Sequence, residues 1–420
     1  MTCIINQAIT AFNSISIRMF GFNKANFCPI GIILPLLCRQ KAVISFAIHS
    51  QQIKMKLLEP YKSNQLSLRN RVVMAPMTRC RADNDGNVAT DLIAEYYAQR
   101  ASAGLLITEG TFINEMAHGY INVPCIYTSD QIQGWKKVND AVHAKGGKIF
   151  AQLWHVGRLA HPDLLGGRLA FGPSAINGHF TCYTKDGFKE TETPKEMSIE
   201  DIRQTILDFQ QAAINAIQAG FDGIELHAAN GYLFHQFFAK CSNLRGDEYG
   251  GSIANRLRFL FEVLDALTEK IGSDKIAVRI SPSLDQTFGI VLDDETEVLY
   301  DIMVERMNAY KFAYLHISGF TMSNHPNPFG LVIETAKHFR SIYKGTLMVN
   351  KAFNAETANM AIEDCVADLV SFGEPFIGNP DLVERFAANE PLNHNDRTTY
   401  YTPGSIGYTD YPKISKSQQS

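Results

Sequence analysis

No two cysteines in this chain stand at C-x-x-C spacing, and no histidine accompanies the eight scattered ones (Cys3, Cys28, Cys38, Cys80, Cys125, Cys182, Cys241, Cys365) at metal-ligand distance. That scatter excludes a structural zinc site, an iron–sulfur cluster and a disulfide framework, and it points to a reducing compartment. Basic blocks are also missing. Nothing exceeds short pairs such as Lys136–Lys137, and the net charge is −4, so there is no electrostatic footprint for nucleic acid and small molecules are the expected partners. Acidic residues are absent from the first 58 positions. This stretch is basic, contains serine and carries the apolar run Ile30–Leu37, which is too short for a bilayer and is broken by Pro35. It resembles an organelle transit peptide; the other reading is a disordered or misassigned extension ahead of Met55. The chain thus divides into an extension (1–54), a main body (55–412) and a polar tail (413–420). The expected location is cytoplasmic, with organelle import through residues 1–54 as the alternative, and no membrane partner is expected.

What the chain does have is a hydrophobic share of 45% over 420 residues with 20% charged, enough for a sizeable core in one large domain or two. From Met55 onward, short β-branched runs alternate with stretches of helical period, the pattern of βαβ units on a parallel sheet. Eight runs are counted: 71–75, 105–109, 148–153, 223–227, 276–280, 312–317, 346–349 and 367–372. Ile253, Leu257, Leu260, Phe261, Leu264, Leu267 and Ile271 recur at threes and fours, as one apolar helix face requires. Similar faces occur at 202–217 and 382–386. A doubly wound open sheet has the same local alternation, but the count of eight favours closure into a single (β/α)8 TIM barrel, an α/β fold. Residues 57–68 are expected to form an N-terminal hairpin plugging its bottom, and residues 156–197 a loop excursion after the third strand.

In such a barrel the site lies at the carboxyl ends of the strands. Thr78, Gln152, His227 and Arg279 each sit at or just past the end of a run. Any one of them could be a core polar residue satisfied by its neighbours; four aimed at one rim suit a ligand better. The run Glu225-Leu226-His227-Ala228-Ala229-Asn230-Gly231-Tyr232-Leu233 leaves a strand and delivers an imidazole, an amide and a phenol within six residues. His227 and Asn230 can donate to one oxygen, which polarises a carbonyl, while Tyr232 can deliver a proton.

These motifs resemble the Old Yellow Enzyme family of FMN-dependent ene-reductases, which includes N-ethylmaleimide reductases and oxophytodienoate reductases, over about Met55 to Pro412. Leu68–Arg79 is similar to that family's first flavin-contacting strand, and Ala151–Arg158 to its third. His227–Tyr232 is similar to its substrate triplet, Asp247–Arg256 to a hallmark run, and Gly407–Pro412 to its ending. The resemblance implies an oxidoreductase in which NADPH or NADH reduces FMN and the flavin then passes hydride to the C=C bond of an α,β-unsaturated carbonyl compound. It implies that Pro76, Met77, Thr78, Gln152 and Arg279 contact the flavin, with Arg279 offsetting negative charge near N1. Lys351, Ala352 and Gly373 would serve its phosphate. His227 and Asn230 would hold the substrate oxygen, Tyr232 would be the proton donor, and Trp154, Tyr120 and Tyr408 would shape the pocket. No metal is implied, and both a monomer and a homodimer fit.

The pattern breaks where the family has Gly-Gly or Gly-Asn after the seventh strand and Gly-Arg after the eighth. Here these places hold Lys351-Ala352 and Gly373-Glu374. Either Lys351 contacts the phosphate or pairs with Glu374, or Glu374 turns to solvent and backbone N–H groups hold the phosphate. The run His316-Ile317-Ser318-Gly319-Phe320 replaces a usual Glu-Pro step, and Gly246 a usual threonine. A flavin-depleted barrel with a binding or regulatory role is the competing reading. A flavin-free aldolase would need a Schiff-base lysine in a desolvated setting, which Lys351 does not obviously have.

Overall fold

The computed structural model describes residues 55–319 and 327–414. The extension (1–54), residues 415–420 of the tail and Phe320 lie outside the described residues.

The eight expected runs form β1 (Val72–Met74), β2 (Leu105–Phe112), β3 (Ile149–Trp154), β4 (Gly223–His227), β5 (Ile276–Ile280), β6 (Tyr314–Ser318), β7 (Leu347–Asn350) and β8 (Leu369–Phe372). Each pairs in parallel with the next, and β8 pairs with β1, closing the barrel. The helices interposed after successive strands are α1 (Asp91–Gln99), α2 (Ser129–His143), α3 (Ile199–Gln218), α4 (Ile253–Ile271), α5 (Thr296–Met307), α6 (Pro328–Ile342), α7 (Ala355–Glu363) and α8 (Leu382–Ala388).

Local chemistry sets several of the helix bounds. Thr128 and Gln131 form a capping box on α2, as do Ser198 and Asp201 on α3 and Asn354 and Thr357 on α7; each satisfies two backbone donors that a helix start leaves over. The expected face of α4 is buried at Leu257, Leu260, Phe261, Leu264 and Leu267, and Gly272 ends the helix at φ +82°, a conformation glycine adopts at no steric cost.

Strand β2 outlasts its expected end by three residues because it is bulged. Its register against β3 shifts between Ile107 and Gly110, the usual mark of an inserted residue. Side chains repair the interrupted ladder: Gln152 N–H donates to Thr108 Oγ1 at 3.0 Å, and Glu109 N–H donates to the Tyr97 hydroxyl at 2.7 Å.

The hairpin Tyr61–Lys62/Ser67–Leu68 exists and is antiparallel. Tyr61, Leu66 and Leu68 join Val73, Leu105, Ile107, Phe150 and Tyr314 in one buried cluster, and the Tyr61 hydroxyl bonds Thr346 Oγ1 at 2.8 Å. It plugs the amino-terminal end of the barrel. The excursion after β3 is more ordered than its composition predicts. It contains an antiparallel hairpin, Thr181–Thr184 with Gly187–Glu190, and a short parallel pair, Phe171–Gly172 with Lys195–Glu196. Arg158 ties it to the loop after β5, donating to Ile176 O at 3.2 Å and to Gly289 O at 2.7 Å.

Buried arginines hold the carboxyl-terminal segment. Arg79 donates to Tyr400 O and Gly407 O, Arg81 to Thr399 O and Tyr400 O, and Arg100 to Phe376 O and Ile377 O. A planar fork of donors suits such multiple carbonyl contacts.

Candidate active site

One cleft at the carboxyl rim is lined by Pro76, Thr78, Gly110, Gln152, Trp154, His227, Asn230, Tyr232 and Arg279. Five separate strand ends thus aim side chains or backbone at the same space. Every one of these except Gly110 is expected from the sequence.

The imidazole of His227 is 6% exposed, and its Nδ1 accepts from the Ala229 N–H at 3.4 Å. The ring proton therefore sits on Nε2, free to donate. Burial first, then the Arg279 charge, holds its pKa well below the usual value, so the group acts as a neutral donor. Asn230 adopts φ +56°, a left-handed conformation that asparagine tolerates better than most residues. Its backbone N–H is anchored on Ser281 Oγ at 2.7 Å, while its buried Oδ1 has no protein partner.

Tyr232 packs edge-on against both His227 and Trp154, with ring centroids 4.9 and 4.8 Å apart. Burial raises its pKa above the ordinary 10, so the phenol keeps its proton at neutral pH. Its hydroxyl lies 3.2 Å from that of Tyr120, and Tyr120 stacks on Trp154 at 5.2 Å.

Arg279 is 6% exposed. Its Nη2 donates to Ser318 Oγ at 3.0 Å and Asn350 Oδ1 at 3.1 Å, but Nε and Nη1 are buried without partners. Burial lowers the guanidinium pKa, yet arginine stays charged in proteins. Leaving such donors unmade is costly, so a ligand acceptor is the natural complement. Trp154 Nε1 is a further buried donor without a partner. Unpartnered donors, one unpartnered acceptor and a proline at the lining fit a flat ring with several polar edge atoms, such as the isoalloxazine of FMN.

The structure departs from the expected pocket at Tyr408, which does not line the cleft. Fully buried, it stacks on Tyr96 at 3.9 Å and 7°, with Arg79 and Arg81 over its ring; it is packing for the arginine clamp. Met77 is partly buried against the core, and its Sδ would lie 3.6 Å from a Cβ at Gly373. After β7, Lys351 and Ala352 are exposed and both have positive φ, +100° and +61°. The Glu374 carboxylate accepts from Arg397 Nη2 and the Tyr400 hydroxyl, each at 3.1 Å, partners that motif reading does not name.

Three further residues escape sequence reasoning. A Cβ at Gly110 would fall 2.2 Å from Trp154 Cε3, so the indole demands glycine there; a glycine directly after a strand run was the available signal. Glu109, beside it, is fully buried and accepts the Arg79 backbone N–H at 3.1 Å. Burial pushes its pKa to about 7 against the opposing pull of Arg79. Tyr401 lies within electrostatic reach of both Tyr120 and Tyr232.

Fold and cleft together define a (β/α)8-barrel oxidoreductase whose rim is built for a flat redox cofactor. The family model described as NADH:flavin oxidoreductase / NADH oxidase matches residues 56–393, and the chain belongs to this family, that of the Old Yellow Enzymes. It is 43% identical over 380 residues to 12-oxophytodienoate reductase 7 of Oryza sativa subsp. japonica, covering 86% of this chain and 95% of that protein. It is 40% identical over 364 residues to 12-oxophytodienoate reductase 2 of Arabidopsis thaliana, covering 85% and 96%. Among solved structures it is similar to morphinone reductase in complex with tetrahydroNAD (TM-score 0.79, 40% identity, covering 86% of this chain and 98% of that one). The old yellow enzyme homologue from Zymomonas mobilis matches at TM-score 0.80 and 38% identity, covering 86% and 100%. The protein is an FMN-dependent, NAD(P)H-dependent flavin oxidoreductase, and the flavin-depleted reading loses its support. No helix among the described residues is long and apolar enough to cross a membrane.

Proposed function

We propose that this oxidoreductase reduces the C=C bond of α,β-unsaturated carbonyl compounds. One observation carries the reading: a neutral histidine with its free Nε2–H, an asparagine three residues on and a protonated tyrosine converge on one cleft. Bound FMN, reduced by NADPH or NADH, supplies the hydride. His227 and Asn230 donate to the substrate carbonyl oxygen and stabilise the charge that grows there as hydride reaches the β-carbon. A neutral donor suits this task, because it needs no proton of its own to be lost. Tyr232 delivers a proton to the α-carbon, and the Tyr120 hydroxyl beside it orients the phenol.

Arg279 offsets negative charge at the cofactor, with two of its donors still unused. Thr78 and Gln152 bind the ring edges, and Pro76 and Met77 pack along it. Lys351, Ala352 and Gly373 serve the phosphate end, with the Arg397–Glu374 pair beside Gly373. Trp154 and Tyr120 form the aromatic wall. The names of the relatives support the substrate class, since 12-oxophytodienoate and morphinone are both oxo compounds.

The test is steady-state turnover with 2-cyclohexenone and NADPH or NADH under nitrogen, with product analysis. The reading predicts cyclohexanone. Cyclohexenol, or nicotinamide oxidation that does not respond to the enone, contradicts it.

A further inference from the structure

Glu225 and His316 form a fully buried acid–base pair inside the barrel, against the cleft-lining side chains, and the roles above leave it unused. Strand register places it there. Glu225 of β4 lies opposite Gln152 of β3, and His316 of β6 opposite Arg279 of β5. Glu225 Oε1 accepts from Gln152 Nε2 at 2.7 Å, and Oε2 accepts from His316 Nδ1 at 2.8 Å. His316 Nε2 in turn lies 2.8 Å from Ser371 Oγ. Both carboxylate oxygens are thus committed, and neither residue touches solvent.

The chemistry of this chain is directional. Burial opposes ionisation of Glu225, but His316 and Arg279 outweigh it and hold the acid below its usual range. An ionised carboxylate only accepts hydrogen bonds. A glutamine amide can turn over and present either end, and neighbours decide which. Here the nitrogen of Gln152 must face Glu225, so its oxygen faces the other way.

We propose that Glu225, braced by His316, is a positioning residue that holds the Gln152 side-chain oxygen toward the cleft, so that the cleft there recognises a ring N–H. The isoalloxazine of FMN has one such group, the imide N3–H between two carbonyls. The inference is independent of which substrate the enzyme reduces; it rests on the contact between Gln152 and the flavin ring edge proposed above. Without the carboxylate, Gln152 can present its NH2 to N3–H, and two donors then face each other. A buried group left unpaired in this way costs about tenfold in affinity.

The experiment reconstitutes apoprotein with 15N-labelled FMN and reads two quantities, the solvent exchange rate of N3–H by NMR and the FMN Kd by fluorescence quenching. Glu225→Gln keeps the shape but offers an amide that donates or accepts, and it should speed N3–H exchange and weaken FMN by about tenfold each. His316→Asn should show a smaller effect of the same sign, about threefold. Gln152→Ala sets the full loss, and adding Glu225→Gln to it should change neither quantity further, since a residue acting through another is non-additive with it. Melting temperatures establish that each variant is folded. If folded Glu225→Gln exchanges N3–H at the wild-type rate while Gln152→Ala exchanges it faster, the positioning role is overturned and the flavin placement stands. If Gln152→Ala also leaves the rate unchanged, the placement itself is wrong and the proposal falls with it. Should Glu225→Gln not fold, His316→Asn decides: faster exchange supports the brace and an unchanged rate overturns it.

Discussion

The two ends of the barrel solve opposite problems with the same eight strands. At the amino-terminal end the hairpin drives Tyr61, Leu66 and Leu68 into an apolar cluster, and the one tyrosine hydroxyl it buries there finds Thr346. Apart from the Tyr314 hydroxyl, the cluster holds no polar side-chain atom without a partner. At the carboxyl end Arg279 Nε and Nη1, Trp154 Nε1 and Asn230 Oδ1 are all buried and unpartnered. Native interiors satisfy nearly all such groups; Arg71 Nε and the Tyr343 hydroxyl near Tyr61 are unpartnered too, but at the carboxyl end four such atoms belong to side chains lining one cleft, which marks that end as the one built for a ligand. Substitutions at the rim should therefore change binding and turnover more than folding, and substitutions at the bottom the reverse.

The sharpest break is His227→Ala at the rim. Losing a preorganised donor at a developing oxyanion costs about 10²–10³ in turnover, and thermal unfolding should shift little, because the group packs against a cleft. A large stability loss with intact turnover would place His227 on the wrong side of the comparison. The converse is Tyr61→Ala at the bottom. Removing a large buried aromatic costs about 3 kcal/mol, read by urea unfolding of the apoprotein, while FMN Kd should stay within about twofold once the fold is populated. A tenfold weaker Kd in folded protein would show that the plug shapes the rim.

Glu109 sharpens the boundary between the two ends, since it is buried yet one residue from the cleft-lining Gly110. Its folded pKa of about 7 lies above the unfolded 4.5. The folded state therefore binds the extra proton between these values, and the stability it contributes is complete below pH 4.5 and is lost as pH rises through 7, by about 3 kcal/mol in total. Glu109→Gln should remove that slope, and the wild-type-minus-variant stability should fall from pH 4.5 to pH 7.5. A difference constant with pH would show that Glu109 titrates normally. The smallest effect belongs to the outer rim. Arg397 and Glu374 have side chains 78% and 50% exposed, and Arg397→Gln should change stability by no more than about 0.5 kcal/mol. A larger loss would mean that the rim's periphery carries structure.

Sequence patterning reached the barrel because alternation of strand and helix periods is a local signal, and β4 and β5 match their expected ranges residue for residue. It reached His227, Asn230, Tyr232 and Arg279 because polar groups at strand ends stand out against apolar runs. It missed what depends on contacts between distant segments. The glycine at 110 is dictated by the indole of Trp154, more than forty residues away. The placing of Tyr408 depends on arginines contributed by the β1–β2 region, so a motif near the chain's end read as pocket turned out to be packing. The hairpin in the excursion after β3 was hidden because Cys182 and Thr184 alternate with exposed neighbours over only four residues, too short a run for a period to register.

The most direct measurement of the proposed chemistry separates the two half-reactions of Tyr232→Phe by anaerobic stopped flow. Flavin reduction by the nicotinamide should proceed within about twofold of the wild-type rate, while reoxidation by 2-cyclohexenone should slow by about 10²-fold or more, because only the second step draws the phenolic proton. Equal slowing of both steps, or enone reoxidation at the wild-type rate, would contradict a cleft in which Tyr232 completes what His227 and Asn230 begin.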